Sequence, residues 1–442
     1  MLIAKRQVKP RSFSFRPLLD PETWSPANGS GVDSDSGNAH STHSHREEEN
    51  AMAMGDTIGV LTGGGDVPGL NSVIKSVVYR ASEMGRQVIG IRKGWQGLTH
   101  MNLAEEMDPA YVRILTRENT RTIDRTGGTA LHTSRTNPKR VHKSKVPAHI
   151  LPRELEKLPA DRAYYDFTSI VLGNLERLQI GCLIVIGGDD TLSFAASLDK
   201  AGMPLIAIPK TMDNDVQGTE YCIGFSTAVT RAKELVTRQR TILGSHERIG
   251  IFRIFGRDAG FTALYTAYVT STRCLIPEHP FDIERLSRLL LDDKRNNPSN
   301  YSLVVVSEGA VPKGQELEEF GEADAYGHRK KVDIGHALAE ELHRRTGEET
   351  MSSDLTYDLR SGDPDALDQM VAITFANIAL DLYQSGVTGK MVGVQQGCYA
   401  HTPLPNPADG PRKVDVPLLY NTERYRPNYS GKLGAPLLFT HA

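Results

Sequence analysis

Short apolar runs that end in glycine-rich turns and give way to helical spacing recur from Gly55 onward, and this rhythm leaves few folds open. Thr57-Ile58-Gly59-Val60-Leu61 reads as a strand buried on both faces, after which Leu70, Val73, Ile74, Val77 and Val78 recur along one helix face. Residues 88–91, 182–186, 205–208, 249–255, 303–306 and 391–394 read as further strands. Helices are predicted over 170–178, 191–201, 228–243 and 260–270. A late helix opens at Asp363-Pro364, with aspartate as N-cap and proline at the first helical position. Its periodic face carries Leu367, Met370, Val371, Phe375, Ile378 and Leu382. Strands that are apolar throughout and alternate with helices belong in parallel sheets covered on both faces, an α/β fold. Ligands in such folds sit outside the C-terminal ends of the strands. The basic, proline-containing stretch 134–162 reads as a surface excursion.

The chain has 442 residues, enough for two or three domains. Its 51 basic and 54 acidic side chains give a formal net charge of −3, which points to neither nucleic acid nor membrane as a partner. Cys182, Cys222, Cys274 and Cys398 are scattered with no CxxC pair. That argues against a zinc site or a disulfide framework and fits a reducing, cytoplasmic setting. No apolar run approaches the roughly 18 residues of a bilayer span. Residues 1–54 stand apart: Lys5, Arg6, Lys9, Arg11 and Arg16 precede the first acid, Asp20, and a Ser/His/Glu-rich stretch runs to Asn50. This composition is that of a disordered, non-catalytic tail. The basic start also mimics an organelle transit peptide, and Met52 or Met54 offers a start just before the first strand.

Three clusters carry chemistry. Thr62-Gly63-Gly64-Gly65-Asp66-Val67-Pro68-Gly69-Leu70-Asn71 lies between a strand and a helix, where a phosphate cradle and a tight structural turn are equally good readings. Gly187-Gly188-Asp189-Asp190-Thr191 offers Asp189 as an oxygen ligand for Mg²⁺; the alternative is helix capping by Asp190 or Thr191. A nucleotide-phosphate site favours glycine at position 190, because the phosphate passes close to the backbone. Pro209-Lys210-Thr211-Met212-Asp213-Asn214-Asp215 places many polar groups directly after a buried strand, which packing alone explains poorly. A carboxylate there can take a proton from a sugar hydroxyl while a lysine neutralises a transferring phosphoryl group.

In this order, TGGGDVPGLN, GGDDT, PKTMDND, FGR (255–257), SEG (307–309) and YDLRSG (357–362) resemble the phosphofructokinase family, from about Ile58 to about Gly397. The resemblance implies two αβα domains with largely parallel sheets and an active site in the cleft between them. The donor-binding domain would be 55–225, completed by about 358–410. The sugar-phosphate domain would be 226–357, completed by 411–442. It implies Mg²⁺ as cofactor and a homodimer or homotetramer in which a neighbouring subunit completes the sugar site. Carried over by residue, Asp213 is the base for the sugar 1-hydroxyl, with Thr211, Met212 and Asp215 beside it. Asp189 holds the metal, and Gly64 and Arg135 meet the donor. Phe255, Gly256, Arg257, Glu308, Tyr357 and Arg360 bind fructose 6-phosphate, with Arg248 reaching across a subunit interface.

Phe255 stands where many members have methionine, and Tyr357 where many have histidine. The arginine that many members carry shortly before the Tyr357 position is missing from 347–355, leaving one phosphate contact to another residue such as Arg344 or Arg345. ATP-dependent members typically have glycine after the metal aspartate. Asp190 would crowd and repel a nucleotide's α-phosphate, and with Lys210 it resembles the pyrophosphate-dependent members. The implied reaction is reversible phosphoryl transfer from pyrophosphate to fructose 6-phosphate, giving fructose 1,6-bisphosphate and phosphate, in glycolysis or gluconeogenesis. The rivals are an ATP-dependent phosphofructokinase and a non-catalytic regulatory subunit of this fold.

Overall fold

The computed structural model describes residues 57–102, 107–315, 319–320, 326, 329–331 and 333–429; the expected tail and the segment from 430 lie outside them. In chain order the main elements are β1 (Thr57–Thr62), α1 (Leu70–Glu83), β2 (Gln87–Ile91), α2 (Trp95–His100), β3 (Val112–Leu115), α3 (Thr168–Arg177), β4 (Ile180–Gly187), α4 (Asp189–Lys200) and β5 (Leu205–Pro209). There follow α5 (Phe225–Ser245), β6 (Ile249–Ile254), α6 (Phe261–Thr270), β7 (Arg273–Leu275), α7 (Ile283–Arg295), β8 (Ser302–Ser307), α8 (Ile334–Thr346) and β9 (Thr350–Asp354). The chain then runs through α9 (Ala366–Gln384), β10 (Lys390–Gln395) and β11 (Cys398–Pro403).

The central strands pair in parallel because their apolar residues need cover on both faces. One sheet has seven strands in the order β11-β10-β5-β4-β1-β2-β3, and a second has four in the order β9-β6-β8-β7. The second is parallel throughout. In the first, only the edge strands β3 and β11 run antiparallel to their neighbours. Neither edge has a continuous apolar run, and β11 is mostly exposed, so the rhythm that announces the central strands is absent there, as it is in β9 with its run Thr350-Met351-Ser352-Ser353-Asp354. β2 and β4 flank β1 on opposite sides, so the loops after β1 and β4 diverge and open a crevice at this reversal of strand order. The 134–162 stretch forms short turns around a small apolar cluster of Val141, Ile150 and Phe167. No described helix is long and apolar enough to cross a membrane.

The start of α9 corrects the sequence expectation. Asp365, not Asp363, is the N-cap: its carboxylate accepts the Asp368 N–H at 2.9 Å. Its other oxygen accepts from Ser226 and Thr230 of α5, at 2.7 and 2.8 Å. Those contacts select the register, which two aspartates around one proline leave ambiguous.

One turn on, Asp368 is fully buried and binds the first turn of α5. Its carboxylate accepts four hydrogen bonds, from the Tyr221 hydroxyl (2.6 Å), Gly224 N–H (2.8 Å), Thr227 N–H (2.8 Å) and the Thr227 hydroxyl (2.6 Å). α5 has no side-chain cap on its own N-cap residue, Gly224, and Asp368 satisfies those amides from another helix. Burial pushes this carboxyl up to about 6, against the pull of its donors. Asp368→Asn turns one acceptor into a donor facing donors. We expect it to lower unfolding stability by about 2–3 kcal/mol in urea titrations.

Candidate active site

A cleft of about 840 Å³ opens where loops after β1, β4 and β5 face loops after β6, β8 and β9. The glycine loop after β1 is fixed by its own backbone. Gly63 N–H donates to Ile186 O (2.9 Å) and Gly64 N–H to Ser134 O (3.1 Å), while the Thr133 hydroxyl donates to Gly64 O (2.6 Å). These bonds bring Arg135 into the cleft wall beside Gly64. They also occupy the Gly63 and Gly64 amides, and a Cβ added at Gly64 would lie 3.3 Å from the Lys210 ammonium. Lys210, 3% exposed, donates from Nζ to Gly65 O at 2.8 Å. Burial and the nearby Arg360 pull it down to about 8, with Asp66 opposing.

α4 begins directly at the metal-candidate residue. Its N-cap is Gly188 with no side-chain cap, so the capping reading of Asp190 and Thr191 does not hold. Asp189 and Asp190 occupy the first turn, where the helix dipole favours negative charge, and both line the cleft. Thr191 is buried against the glycine loop: a Cβ added at Gly63 would lie 2.6 Å from its side chain. This steric fit requires glycine at position 63.

Asp189, Asp213 and Asp215 sit half-buried in this wall with Asp258 exposed beside them. Burial, Asp215, Asp190 and Asp258 push Asp189 up to about 8, against Lys210. Burial and the carboxylates of Asp215, Glu308 and Asp258 hold Asp213 well above the usual range, against Arg257. Asp213 Oδ1 is buried with no hydrogen-bond partner. Asp215 rises to about 6, mainly by burial. Such a group of acids fits a divalent cation, which prefers hard oxygen ligands. No three His, Cys, Asp or Glu side chains among the described residues converge into a closed cage. Mg²⁺ suits such a wall, since it is usually bound by one or two carboxylates together with water and substrate phosphates.

On the opposite wall, Phe255 and Tyr357 meet edge to face with centroids 5.9 Å apart. The Arg360 guanidinium stands 5.8 and 5.5 Å from these rings, and its Nη2 donates to Asp66 Oδ1 at 2.9 Å. Arg360 thus ties the turn after β9 to the glycine loop. Arg257, Glu308, Thr211 and Met212 also line the cleft. Gly256 does not: its φ is +130°, and an added Cβ would lie 2.2 Å from Ser307 Oγ, so it serves the contact between two loops. Arg248 precedes β6, at the end opposite Phe255, and lies 3.7 Å from Glu349 outside this cleft. Arg344 is bound to Glu341 (2.6 Å), and Arg345 pairs with Glu341 and Glu284. Neither arginine lines the cleft, so neither replaces the missing family arginine within this chain.

Sequence reasoning missed Arg253, Asp258 and Asp66, which line the cleft. Arg253 lines the cleft and meets Asp354 at 2.8 Å, Glu308 at 3.7 Å and Asp333 at 3.8 Å. Strand alternation puts residue 253 on the same face as 255, and that is the signal that identifies it. Asp258 directly follows the FGR motif. Asp66 and Arg360 lie 294 positions apart, and no local pattern joins them.

The chain belongs to the phosphofructokinase family, whose model matches residues 57–383. It is therefore an enzyme-family phosphofructokinase chain by descent and fold. It is 36% identical over 367 residues to a pyrophosphate–fructose 6-phosphate 1-phosphotransferase of Streptomyces coelicolor, covering 82% of this chain and 97% of that one. A second Streptomyces coelicolor protein, ATP-dependent 6-phosphofructokinase 3, is 35% identical over 76% of this chain and 90% of its own. A pyrophosphate–fructose 6-phosphate 1-phosphotransferase of Thermoproteus tenax is 34% identical over 85% and 99%. Among solved structures, a pyrophosphate-dependent phosphofructokinase from Marinobacter aquaeolei superposes with a TM-score of 0.63 at 18% identity, covering 87% of this chain and 96% of that one. Phosphofructokinase from Saccharomyces cerevisiae gives 0.63 at 22% identity, covering 79% of this chain and 44% of the longer yeast chain. At these identities the two structures show the shared fold.

The interlock of the glycine loop with α4 is directly testable. Gly63→Ala should cost about 1–3 kcal/mol of stability through overpacking, and Thr191→Ala in the same chain should recover part of it. A double-mutant cycle by chemical denaturation reads this coupling.

Proposed function

We propose that this chain is a pyrophosphate-dependent phosphofructokinase, transferring a phosphoryl group reversibly between Mg-pyrophosphate and the 1-hydroxyl of fructose 6-phosphate. The products of the forward reaction are fructose 1,6-bisphosphate and phosphate. Relatives named for pyrophosphate and for ATP stand at nearly equal identity, so the choice of donor is read from the cleft. The observation that carries it is Asp190, a second carboxylate in the cleft wall directly after Asp189. A donor whose chain continues past two phosphates would meet like charge there, and a desolvated charge mismatch discriminates strongly. Pyrophosphate ends before that point.

The roles follow from position. Asp213, with one oxygen unpartnered, takes the proton of the 1-hydroxyl, and its raised proton affinity suits returning it in the reverse direction. Lys210, held at the glycine loop by Gly65 O, supplies positive charge where the donor splits, joined by Arg135. Asp189 holds Mg²⁺, which would neutralise phosphate charge when bound. Arg257, Glu308, Tyr357, Phe255 and Arg360 form the sugar-phosphate side, with Thr211, Met212 and Asp215 around the reacting hydroxyl. Arg253 steadies Glu308, and Arg248, remote from its own cleft, serves that of a neighbouring copy. The sheet containing β1 and β4 provides the donor half, and the sheet containing β6 and β8 provides the sugar half.

Purified protein assayed at equal Mg²⁺ should turn over with pyrophosphate and not with ATP; activity with ATP alone overturns this reading of the donor. Asp190→Gly should raise apparent ATP affinity by at least about 10-fold, since it removes the mismatched charge. If ATP use by that variant stays undetectable, loops other than 189–191 exclude the nucleotide. Asp213→Asn should lower kcat by about 10²–10⁴ with little change in KM, as expected for loss of a general base.

A further inference from the structure

Behind the Asp213–Asp215 loop lies an arginine that none of the roles above uses. Arg412 follows the last strand of the first sheet, beyond the residues matched by the family model. It is 6% exposed, its guanidinium packed 4.2 Å from the centre of the Phe261 ring at the start of α6. What it binds is main chain. Nη2 donates to Asn214 O at 2.6 Å and to Glu220 O at 3.2 Å, and the Arg412 backbone N–H donates to Asp215 O at 2.6 Å. Nε and Nη1 are buried with no hydrogen-bond partner. The Glu220 carboxylate is engaged by the amides of Gln396 and Gly397, at 2.7 and 2.9 Å.

Burying a guanidinium against carbonyls with two nitrogens unsatisfied is unfavourable, so this side chain is a poor choice for packing alone. The loop that it grips is itself strained. Asn214 has a φ of +56°, a conformation that costs a non-glycine residue free energy unless its surroundings hold it. Its side chain is fixed at both ends: Nδ2 donates to Glu220 O (3.0 Å), and Oδ1 accepts the Cys222 N–H (2.8 Å). Arg412 takes the remaining group, the Asn214 carbonyl. The residues on either side of this fixed peptide, Asp213 and Asp215, are two of the acids of the cleft.

We propose that Arg412 is a positioning residue for the reaction. Its side chain holds the carbonyl of Asn214 and its backbone N–H that of Asp215, and the side-chain bond thereby sets the directions in which Asp213 and Asp215 enter the cleft. The inference rests on the reading that Asp213 is the proton acceptor. It accounts for the buried cation, because one guanidinium nitrogen bridges the carbonyls of Asn214 and Glu220, which an apolar side chain cannot do, while its charge favours the acids beside it. A neutral side chain of similar size would fill the space and leave the loop free to relax.

The test uses the full chain, with activity read against the parent using whichever donor the parent turns over, so an error about the donor leaves it standing. Arg412→Met should lower kcat about 30–100-fold, the scale of an ångström-level misplacement of a catalytic group, with both KM values within about threefold. Arg412→Lys, which restores charge without the fork, should fall between the two. Asn214→Gly removes the strain and the side-chain bonds together. It should keep the parental melting temperature within a few degrees and still lower kcat about 10-fold, on the same misplacement scale. A parental kcat in a folded Arg412→Met variant overturns the proposal. So does a fall in kcat matched by rising KM values and lost stability. If Arg412→Met does not fold, Arg412→Gln takes its place, and a parental kcat in that folded variant overturns the proposal.

Discussion

Bringing three half-buried carboxylates, Asp189, Asp213 and Asp215, to one wall of a cleft is the constraint around which the rest of this structure is arranged. Like charges at such spacing in a poorly hydrated wall are unfavourable, and the raised proton affinities of Asp189 and Asp213 express that cost. Lys210 beside Asp189, Arg257 beside Asp213 and Arg412 beside Asp215 are the cations set against them. Each is anchored by a different element, so the charge balance exists only when the two sheets meet. An apolar ligand would leave the acids of such a wall uncompensated.

The framework that holds these charges is built from glycine contacts and one buried acid. Gly63 lets the loop after β1 lie on Thr191 of α4, so the glycine loop and the acidic turn pack directly on each other. Gly256 does the same for the loops after β6 and β8. Asp368 joins the start of α5 to α9, and Asp365 adds a second tie between the same helices. These contacts leave the cleft walls little freedom to separate locally. The Arg360–Asp66 pair then crosses from the turn after β9 to the glycine loop.

Much of this was legible in the order of residues. The central strands and their helices announced themselves by apolar runs and periodicity, and the motif order TGGGDVPGLN, GGDDT, PKTMDND, FGR, SEG and YDLRSG marked the family to which the chain belongs. The edge strands β3 and β11 were not legible, because an edge needs no continuous apolar face. The start of α9 was misplaced by two residues because its cap is chosen by Ser226 and Thr230 on another helix. Arg344 and Arg345 were offered as substitutes for a missing arginine by proximity in sequence alone, and helix α8 directs them to Glu341 instead.

What the sequence determined by itself is therefore the local chemistry: which central segments are strands and which of their neighbours are helices, which turns are acidic or glycine-rich, and which family they match. Those features depend on neighbours a few residues apart, and their periods and motifs are written along the chain. The tertiary structure alone decided which distant groups share a charge environment. It paired Arg360 with Asp66, surrounded Arg253 with Asp354, Glu308 and Asp333, and placed Arg412 behind Asn214. Such pairings are set by how two sheets pack, and electrostatics in a half-buried cleft depends on distance in space, which no local pattern records.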